Sequence, residues 1–228
     1  MHRTARRGVR PGSRARRTGR ASSLLAPALF AAAALAGASP HALAGGGAFL
    51  IDYRVPYDNS GIWARSNQDA LIYAMMGTVG LGALWEGGED RLGKTFWQSV
   101  DGTLVSGIAS VGLKYAFSRE RPSQTSDPNK WFTGHGQSFP SGEVTVTSAL
   151  VTPFVLEYGR DHPAVYALEA LPVYDAIARM KVWGHWPTDV IAGFALGFAG
   201  GYFMHQRASP LVLSFMPHGI QIGLKKEF

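Results

Sequence analysis

Three groups of polar residues interrupt otherwise apolar segments of this 228-residue chain. The first is "KYAFSRERP" at 114–122, the second is "PSGE" at 140–143, and the third is "ARMKVWGHWPTD" at 178–189. They contain cations, a small hydroxyl residue beside a glycine, and a histidine near a carboxylate. Side chains of these types bind anions and carry out nucleophilic chemistry. The pattern therefore predicts an anion-binding site assembled from separate helix ends.

The first group supplies cations. Lys114 and Arg121 are seven residues apart, which is two turns of a continuous helix, so one face near the helix end would present both. Arg121 precedes Pro122, where a helix is expected to stop. A guanidinium binds phosphate oxygens in bidentate fashion, and an ammonium adds a point charge. This group is therefore suited to a phosphate.

The second group is expected to open a helix at Ser141 and Gly142. Unpaired backbone N–H groups and the positive end of the helix dipole favour an anion there, and glycine lets the backbone approach closely. Taken alone, the same pattern is typical of an ordinary helix N-cap. The groups on either side favour the anion site.

The third group places His185 just before a helix. Pro187 suits the first helical position and leaves Asp189 in the first turn. A carboxylate that accepts from one imidazole nitrogen fixes the tautomer and leaves the other nitrogen as a nucleophile. A lone histidine is more often structural, but Arg179 six residues before it and Asp189 four after it favour a chemical role.

These residues resemble the type 2 phosphatidic acid phosphatase superfamily, which includes bacterial class A acid phosphatases, lipid phosphate phosphatases and vanadium haloperoxidases. The family pattern is K-x6-RP, then PSGH, then SR-x5-H-x3-D. Ala178 stands where the family usually has serine, and Glu143 stands where it has histidine. The resemblance covers about residues 95–205. The pattern is matched in order at Pro122, at Pro140-Ser141-Gly142, and at the five charged or histidine positions Lys114, Arg121, Arg179, His185 and Asp189.

The resemblance implies a phosphatase acting on a phosphate monoester or diphosphate of a small molecule or lipid. It implies that His185 attacks phosphorus to form a phosphohistidine, that Asp189 orients His185, and that Ser141 with Gly142 donates to the developing charge. No metal or other cofactor is implied. A vanadate-dependent peroxidase uses the same anion pocket, but this chain is short for that group. Three cations are implied to hold the phosphoryl oxygens: Lys114, Arg121 and Arg179.

Glu143 stands where the resemblance implies the general acid that protonates the leaving group. In one account a buried glutamic acid does this itself, although three nearby cations would lower its pKa. In a second account, His135 on a glycine-flanked loop replaces the missing general acid. The alternative is that His135 is an ordinary solvated loop histidine. In a third, the catalytic role is lost and the chain is an anion-binding or structural envelope protein. Diphosphates need less acid assistance and would still be cleaved.

Basic residues are concentrated at the N-terminus. Residues 1–20 carry eight arginines and no acidic residue, whereas residues 21–228 carry 14 Lys and Arg against 16 Asp and Glu. This balance argues against a nucleic-acid partner. An apolar stretch follows and ends in Ala42-Leu43-Ala44, the small-x-small form of a signal-peptidase site. We expect residues 1–44 to be a signal peptide or N-terminal anchor, residues 45–228 to be one domain, and the protein to be exported to the periplasm or cell envelope membrane.

The sequence lacks the residues and motifs that several other classes of enzyme require. The chain has no cysteine, which excludes a thiolate nucleophile, a disulfide framework and a Cys-ligated metal. The sequence contains no HExxH motif or Asp-rich cluster typical of a metal site, and no Walker P-loop typical of an NTPase.

Apolar segments bounded by Gly, Pro and Asp predict helices at 70–85, 100–117, 144–158, 164–180 and 190–204. Five to six helices make an all-α bundle, preceded by an irregular lead-in. The tail is compatible with a short β-hairpin around Pro217-His218-Gly219. The helical runs are shorter than the roughly 20 apolar residues of a membrane span. Gly193, Gly197 and Gly201 permit close helix contact of a kind found in membranes and in soluble bundles, so the relation to a membrane stays open.

Overall fold

The computed structural model describes residues 46–207 and Leu211. Within that part of the chain the regular structure is helical, which confirms the predicted all-α bundle. The expected leader at 1–44 and the expected hairpin lie outside the described residues. Three 3-10 turns are found at Ala48–Leu50, Gly61–Trp63 and Pro163–Glu169. The five α-helices are α1 (Arg65–Glu86), α2 (Arg91–Phe117), α3 (Gly142–Tyr158), α4 (Ala170–Lys181) and α5 (Pro187–His205).

Helix α2 begins nine residues before its predicted start. Asp90 caps it, because its carboxylate accepts from the backbone N–H of Gly93 at 2.6 Å. The first three turns bury mainly small and polar side chains, such as Thr95, Ser99 and Asp101. These residues give no apolar periodicity, so the sequence pattern missed them.

Helix α3 lies at the centre of the bundle and packs against the other four helices. Its residues from Val144 to Val155 are buried on nearly all sides, as expected of a helix without a polar face. The hydroxyls of Thr145 and Thr152 donate to the carbonyl oxygens of Ser141 and Ser148, at 2.7 and 2.8 Å. Polar side chains are therefore accommodated in the core without losing their hydrogen bonds.

The glycine stripe of α5 packs directly on α3. A Cβ added at Gly197 would lie 2.2 Å from the carbonyl oxygen of Thr145, and one at Gly193 would lie 2.5 Å from that of Ser141. Both contacts are far inside van der Waals distance, so only glycine fits at these two positions. The stripe brings the start of α5 close to the start of α3.

The outer faces of α1 and α2 carry exposed apolar side chains, including Tyr73, Trp85, Ile108 and Tyr115. Exposed apolar surface of this extent is often an interaction site. In the part of the chain that the structure describes, no helix has both the length and the apolar character to cross a bilayer.

The expectation that Lys114 and Arg121 share one continuous helix is wrong. Helix α2 ends at Phe117, and Ser118 takes a left-handed backbone conformation with φ 42° and ψ 45° while its N–H donates to the carbonyl of Lys114. This is the geometry of a helix C-terminus, where glycine is the usual residue. The chain then turns inward and carries Arg121 in a loop.

Candidate active site

The three polar groups meet at one end of the bundle. The backbone N–H of Ser141 donates to the carbonyl oxygen of Asp189 at 2.9 Å, which ties the start of α3 to the start of α5. Lys114, near the end of α2, donates through Nζ to the carbonyl oxygens of Gln137 at 2.9 Å and Pro140 at 2.6 Å. Helix ends distant in sequence are thus joined by direct hydrogen bonds.

Ser141 lies at the N-cap position of α3, but its side chain makes no capping hydrogen bond. Its Oγ is buried and has no partner among the described residues. The ordinary N-cap interpretation therefore lacks the bond that defines it. A buried, unpaired hydroxyl beside the free N–H groups of a helix start is suited to an anion. A Cβ added at Gly142 would make an ordinary van der Waals contact with Cε of Lys114 at 3.4 Å, so the space at this position does not itself require glycine.

Arg179, in the last turn of α4, supplies a buried cation. Its Nη1 donates to Oε1 of Gln68 at 3.3 Å, whereas its Nε has no partner among the described residues. A Cβ added at Gly184 would lie 2.5 Å from Nη2, so a larger residue there would displace the guanidinium. The arginine thus retains donors that an anion can use.

Burial, reinforced by the positive charge of Arg121, lowers the pKa of Lys114 to about 8. The charges of Asp189 and Glu143 act in the opposite direction. The same Arg121 also contributes to lowering the pKa of His185. The loop therefore brings Arg121 near both residues, although the continuous helix expected to do so is absent.

His185 is 3% exposed, and its Nδ1 lies 2.7 Å from the carbonyl oxygen of Ser138. A carbonyl oxygen only accepts, so Nδ1 carries the hydrogen and Nε2 keeps its lone pair. Burial lowers the pKa of His185 to about 4, although Asp189 opposes this shift. At neutral pH the imidazole is uncharged, in the tautomer that a nucleophilic Nε2 requires.

The carboxylate of Asp189 lies 3.9 Å from Nδ1 of His185, which is longer than a hydrogen bond. It accepts instead from Oγ of Ser138 at 2.5 Å, Nη1 of Arg119 at 2.6 Å and the backbone N–H of Trp186 at 2.9 Å. Burial alone would raise the pKa of Asp189, but the nearby His185, the charge of Arg119 and the hydrogen bond from Ser138 lower it. Asp189 therefore reaches His185 through Ser138.

Arg119 and Asp52 are two buried residues that the sequence did not single out. Nη2 of Arg119 donates to Oδ2 of Asp52 at 2.6 Å, and its guanidinium stacks on Trp131 at 4.2 Å. Asp52 also accepts from the backbone N–H of Thr188 at 2.8 Å, which caps the first turn of α5. Asp52, in the irregular lead-in, thus stabilises the start of the helix that carries Asp189. Because Asp52 and Arg119 are 67 residues apart, no local motif signals this pair.

Glu143 is held by a second residue that the sequence did not indicate. Nη1 and Nη2 of Arg65 donate to its two carboxylate oxygens at 2.7 and 2.8 Å, the bidentate geometry of a strong ion pair. Nη1 of Arg179 lies 3.7 Å away. Burial opposes it, but the hydrogen bonds and charge of Glu143 raise the pKa of Arg65. The carboxylate is therefore neutralised within the site.

His135 projects from its loop with a side chain that is 68% exposed, and its Nε2 lies 3.2 Å from Oε1 of Glu120. The imidazole is paired with that carboxylate, whereas the partners of Glu143 are Arg65 and Arg179. A role for His135 as the general acid stays a prediction.

An apolar groove of about 450 Å³ adjoins the site. It runs beside Thr188, which precedes Asp189, and beside Phe139, which precedes the second polar group. Its walls are otherwise hydrophobic, so it is suited to an apolar portion of a ligand. The lining residues are Phe49, Ile51, Phe117, Trp131, Phe139, Thr188, Ile191, Ala192 and Ala195. Among the described residues, no group of three or more His, Asp or Glu side chains is arranged to hold a metal ion.

The family model for the PAP2 superfamily matches residues 96–211, about half of the chain. The chain belongs to the PAP2 superfamily. It is similar to the lipid A 1-phosphatases of Rhizobium etli and Rhizobium johnstonii, each 36% identical over 100 residues. It is also similar to the lipid A 1-phosphatase of Porphyromonas gingivalis, 34% identical over 100 residues.

The matches cover 41% of this chain for each Rhizobium protein and 43% for the Porphyromonas protein. They cover 42%, 40% and 20% of those three proteins, so the chain spans about two fifths or less of the relatives' length. No solved structure matches this chain.

Proposed function

We propose that this chain is a phosphatase that hydrolyses phosphate monoesters or diphosphates through a phosphohistidine intermediate. The observation that carries the proposal is the geometry of His185, a buried neutral imidazole whose Nδ1 is held by Ser138. At the same site, the hydroxyl of Ser141 and Nε of Arg179 have no hydrogen-bond partner in the part of the chain that the structure describes. The site thus combines a nucleophile with hydrogen-bond donors that lack protein partners, which is what a phosphoryl group requires.

In the first step the lone pair of Nε2 of His185 attacks phosphorus, and the bond to the leaving oxygen breaks. Lys114, Arg121 and Arg179 hold the non-bridging oxygens, whose charge Ser141 and the first N–H groups of α3 stabilise. Hydrogen bonding between Nδ1 and Ser138 offsets the positive charge that develops on the ring. Water then displaces the phosphoryl group from Nε2 and releases phosphate.

We further propose that the substrate is lipid-linked. The groove beside Thr188 and Phe139 offers an apolar surface next to the proposed anion-binding residues. The relatives are named lipid A 1-phosphatases. An exported protein in the periplasm or envelope membrane, as expected from residues 1–44, would meet such a substrate. The exposed apolar faces of α1 and α2 support association with a membrane surface.

A second candidate is an impaired homologue that binds an anion without efficient turnover. The bidentate pair between Arg65 and Glu143 favours it, because a carboxylate so engaged differs from a histidine general acid. A site with a weak acid would still cleave diphosphates, whose leaving groups need less protonation. Rates on diphosphates relative to alkyl monophosphates test this alternative, and equal relative losses on both contradict it.

The proposed function is tested by measuring hydrolysis of an aryl phosphate and an isoprenyl diphosphate by the full chain across pH. We expect His185→Ala to abolish turnover and the exposed control His162→Ala to retain it. Trapping with labelled substrate should give an acid-labile phosphoenzyme in the wild type and none in His185→Ala. A silent wild type with an active Glu143→His variant would instead support the impaired homologue.

A further inference from the structure

Gln68 is a buried polar residue at the site that the proposed mechanism does not use. It lies in the first turn of α1 and is 0% exposed. Its Nε2 donates to the carbonyl oxygens of Trp63 at 2.9 Å and Ala178 at 3.4 Å. Its Oε1 accepts from Nη1 of Arg65 and from Nη1 of Arg179, both at 3.3 Å. The amide thus makes the four hydrogen bonds that a primary amide can make.

The orientation of this amide follows from the chemistry of its partners. Backbone carbonyl oxygens only accept hydrogen bonds, and guanidinium groups only donate them. A reversed amide would place its NH₂ group against two guanidinium groups and its oxygen against two carbonyl oxygens. Glutamate at this position would supply no donor for the carbonyl oxygens of Trp63 and Ala178. Glutamine therefore matches all four partners.

Gln68 holds one nitrogen of a guanidinium whose other nitrogens are differently placed. Nη2 of Arg179 lies where a Cβ added at Gly184 would be 2.5 Å away. Nε of Arg179 is buried and has no hydrogen-bond partner in the part of the chain that the structure describes. A buried donor without a partner is costly, so this N–H is suited to an anionic ligand.

A carboxylate lies close to the same guanidinium. Oε1 of Glu143 is 3.7 Å from Nη1 of Arg179, which is longer than a hydrogen bond. Arg65 binds both oxygens of that carboxylate at 2.7 and 2.8 Å. The oxygen of Gln68 is uncharged, so it orients Arg179 without neutralising it. Without this acceptor, the guanidinium would be free to close the gap to Glu143 and form a direct ion pair.

We propose that Gln68 is a positioning residue for phosphate binding, whose side-chain oxygen holds the guanidinium of Arg179 away from Glu143 and available to a phosphoryl oxygen. The proposal rests on the proposed phosphatase function, in which Arg179 holds the phosphoryl group. Gln68 does not touch the phosphate in this scheme, because it acts through Arg179. The start of α1 thereby contributes to a site whose other residues lie on α2 to α5 and their loops.

The effect on binding is tested by calorimetric titration of the full-length chain with inorganic phosphate. Gln68→Met keeps a side chain of similar size and removes the acceptor, and it should weaken phosphate binding about tenfold. In an Arg179→Gln background the same substitution should change the affinity little, because the cation that it positions is absent. A double-mutant cycle measures this coupling. Equal losses in both backgrounds, or no loss in either, would overturn the proposal.

The matched control is Gln98→Met on α2. Gln98 is 8% exposed, and its Nε2 donates to the carbonyl oxygens of His205 at 3.2 Å and Arg207 at 3.4 Å. Both substitutions remove an amide from two backbone carbonyls, and the one at position 68 also removes the acceptor of two arginines. Gln98→Met should keep the wild-type phosphate affinity. A tenfold loss there as well would show a general structural effect and overturn the proposal.

The requirement for an uncharged acceptor is tested with Gln68→Glu. This variant keeps an acceptor for Arg179 and adds a negative charge, so phosphate affinity should fall because the carboxylate neutralises the guanidinium. Wild-type affinity in Gln68→Glu would contradict the proposal. The result does not depend on Gln68→Met, so it remains decisive if that variant fails to fold.

The position of the guanidinium is tested without phosphate or turnover by crystal structures of the wild type and Gln68→Met. We expect Arg179 to bond Gln68 in the wild type and to move within hydrogen-bond distance of Glu143 in the variant. An unchanged guanidinium in Gln68→Met would overturn the proposal. If the wild type neither binds nor hydrolyses phosphate compounds, the proposed function fails, and these structures still decide whether Gln68 positions Arg179.

Discussion

The carbonyl oxygen of Ser138 accepts a hydrogen bond from Nδ1 of His185 at 2.7 Å. Because a backbone carbonyl does not titrate in the physiological range, this contact fixes the imidazole tautomer independently of pH. The hydroxyl of the same serine donates to Asp189, so the carboxylate positions the residue that positions the histidine. Because the tautomer is fixed, an acid titration should report the protonation state of His185.

Stability should fall between pH 6.5 and 5 because of His185. Burial lowers the pKa of His185 from its ordinary 6.5 to about 4 in the folded protein. Between these values the unfolded chain binds more protons, so the free energy of unfolding decreases as the pH is lowered. The expected contribution is about 2 kcal/mol over this range. Urea unfolding of the wild type and His185→Asn at both pH values measures it.

The difference between these two proteins isolates His185 from the other histidines. We expect the variant to lose less stability than the wild type on acidification, and an equal loss in both would contradict the assignment. The acid limb of kcat/KM should correspondingly lie near pH 4, since kcat/KM reports the free enzyme.

Phosphate affinity should weaken above pH 8 through Lys114. Burial and the charge of Arg121 lower the pKa of Lys114 to about 8, so the ammonium loses its charge while an arginine would keep it. Calorimetric titration with inorganic phosphate at pH 7, 8 and 9 should show a smaller alkaline loss for Lys114→Arg than for the wild type. Identical profiles would contradict the prediction.

The same titration of Lys114 acts on stability with the opposite sign. Its unfolded pKa is the ordinary 10.5 and its folded pKa is about 8, so between these values the unfolded chain binds more protons. This group alone therefore makes the free energy of unfolding increase with pH in that range. Above pH 8, phosphate affinity should therefore fall while the contribution of Lys114 to the free energy of unfolding rises. This difference distinguishes a local loss of charge from unfolding.

Replacing Arg119 should destabilise the fold severely. The guanidinium lies between the carboxylates of Asp52 and Asp189, and all three side chains are fully buried. Arg119→Gln leaves two uncompensated buried charges, which costs about 3–5 kcal/mol. Denaturant unfolding measures the loss, and Lys130→Gln, an exposed residue in the loop after α2, is the control. A loss below about 1 kcal/mol would show that the two carboxylates find other partners.

The sequence predicted the parts of the site that have local signals. Pro187 begins α5 with Asp189 in its first turn, and Ser141 with Gly142 begins α3, because proline, glycine and small hydroxyl residues are favoured at these positions. The number and type of helices likewise followed from apolar segments between such residues.

The supporting contacts had no local signal. Arg65 and Glu143 are 78 residues apart, and only packing of α1 against α3 brings them together. The end of α2 at Phe117 was predicted, but the expectation that Lys114 and Arg121 share one continuous helix was wrong, since Ser118 adopts the left-handed conformation where the sequence shows no glycine. Packing of α1 against α3 fixed the contact between Arg65 and Glu143, so residue patterns along the chain did not reveal it.

Adding a methyl group at Gly197 should separate α5 from α3. The new Cβ would lie 2.2 Å from the backbone oxygen of Thr145, which has little freedom to move. Overpacking of this kind costs about 1–3 kcal/mol. Gly107→Ala on α2 is the matched control, because no atom lies within 4 Å of its added Cβ. That variant should gain up to about 1 kcal/mol from helix propensity. Similar effects of both substitutions on thermal unfolding would contradict the close contact.

Arg65 should support anion binding by neutralising Glu143 rather than by touching the phosphate. Arg65→Ala leaves the carboxylate of Glu143 facing a bound anion, and we expect phosphate affinity to fall about tenfold, which corresponds to about 1.4 kcal/mol. In a Glu143→Gln background the same substitution should have almost no effect, because no charge remains to be neutralised. A double-mutant cycle of phosphate dissociation constants measures this coupling.

Equal losses in both backgrounds would instead place Arg65 in direct contact with the anion. The control is Arg91→Ala, which removes an arginine paired with Glu157 and Asp161 at the opposite end of α2 from Lys114. It changes the net charge by the same amount, so it separates a local effect at Glu143 from long-range electrostatics. We expect phosphate affinity to stay at the wild-type value in Arg91→Ala, which would make neutralisation of Glu143 the specific function of Arg65.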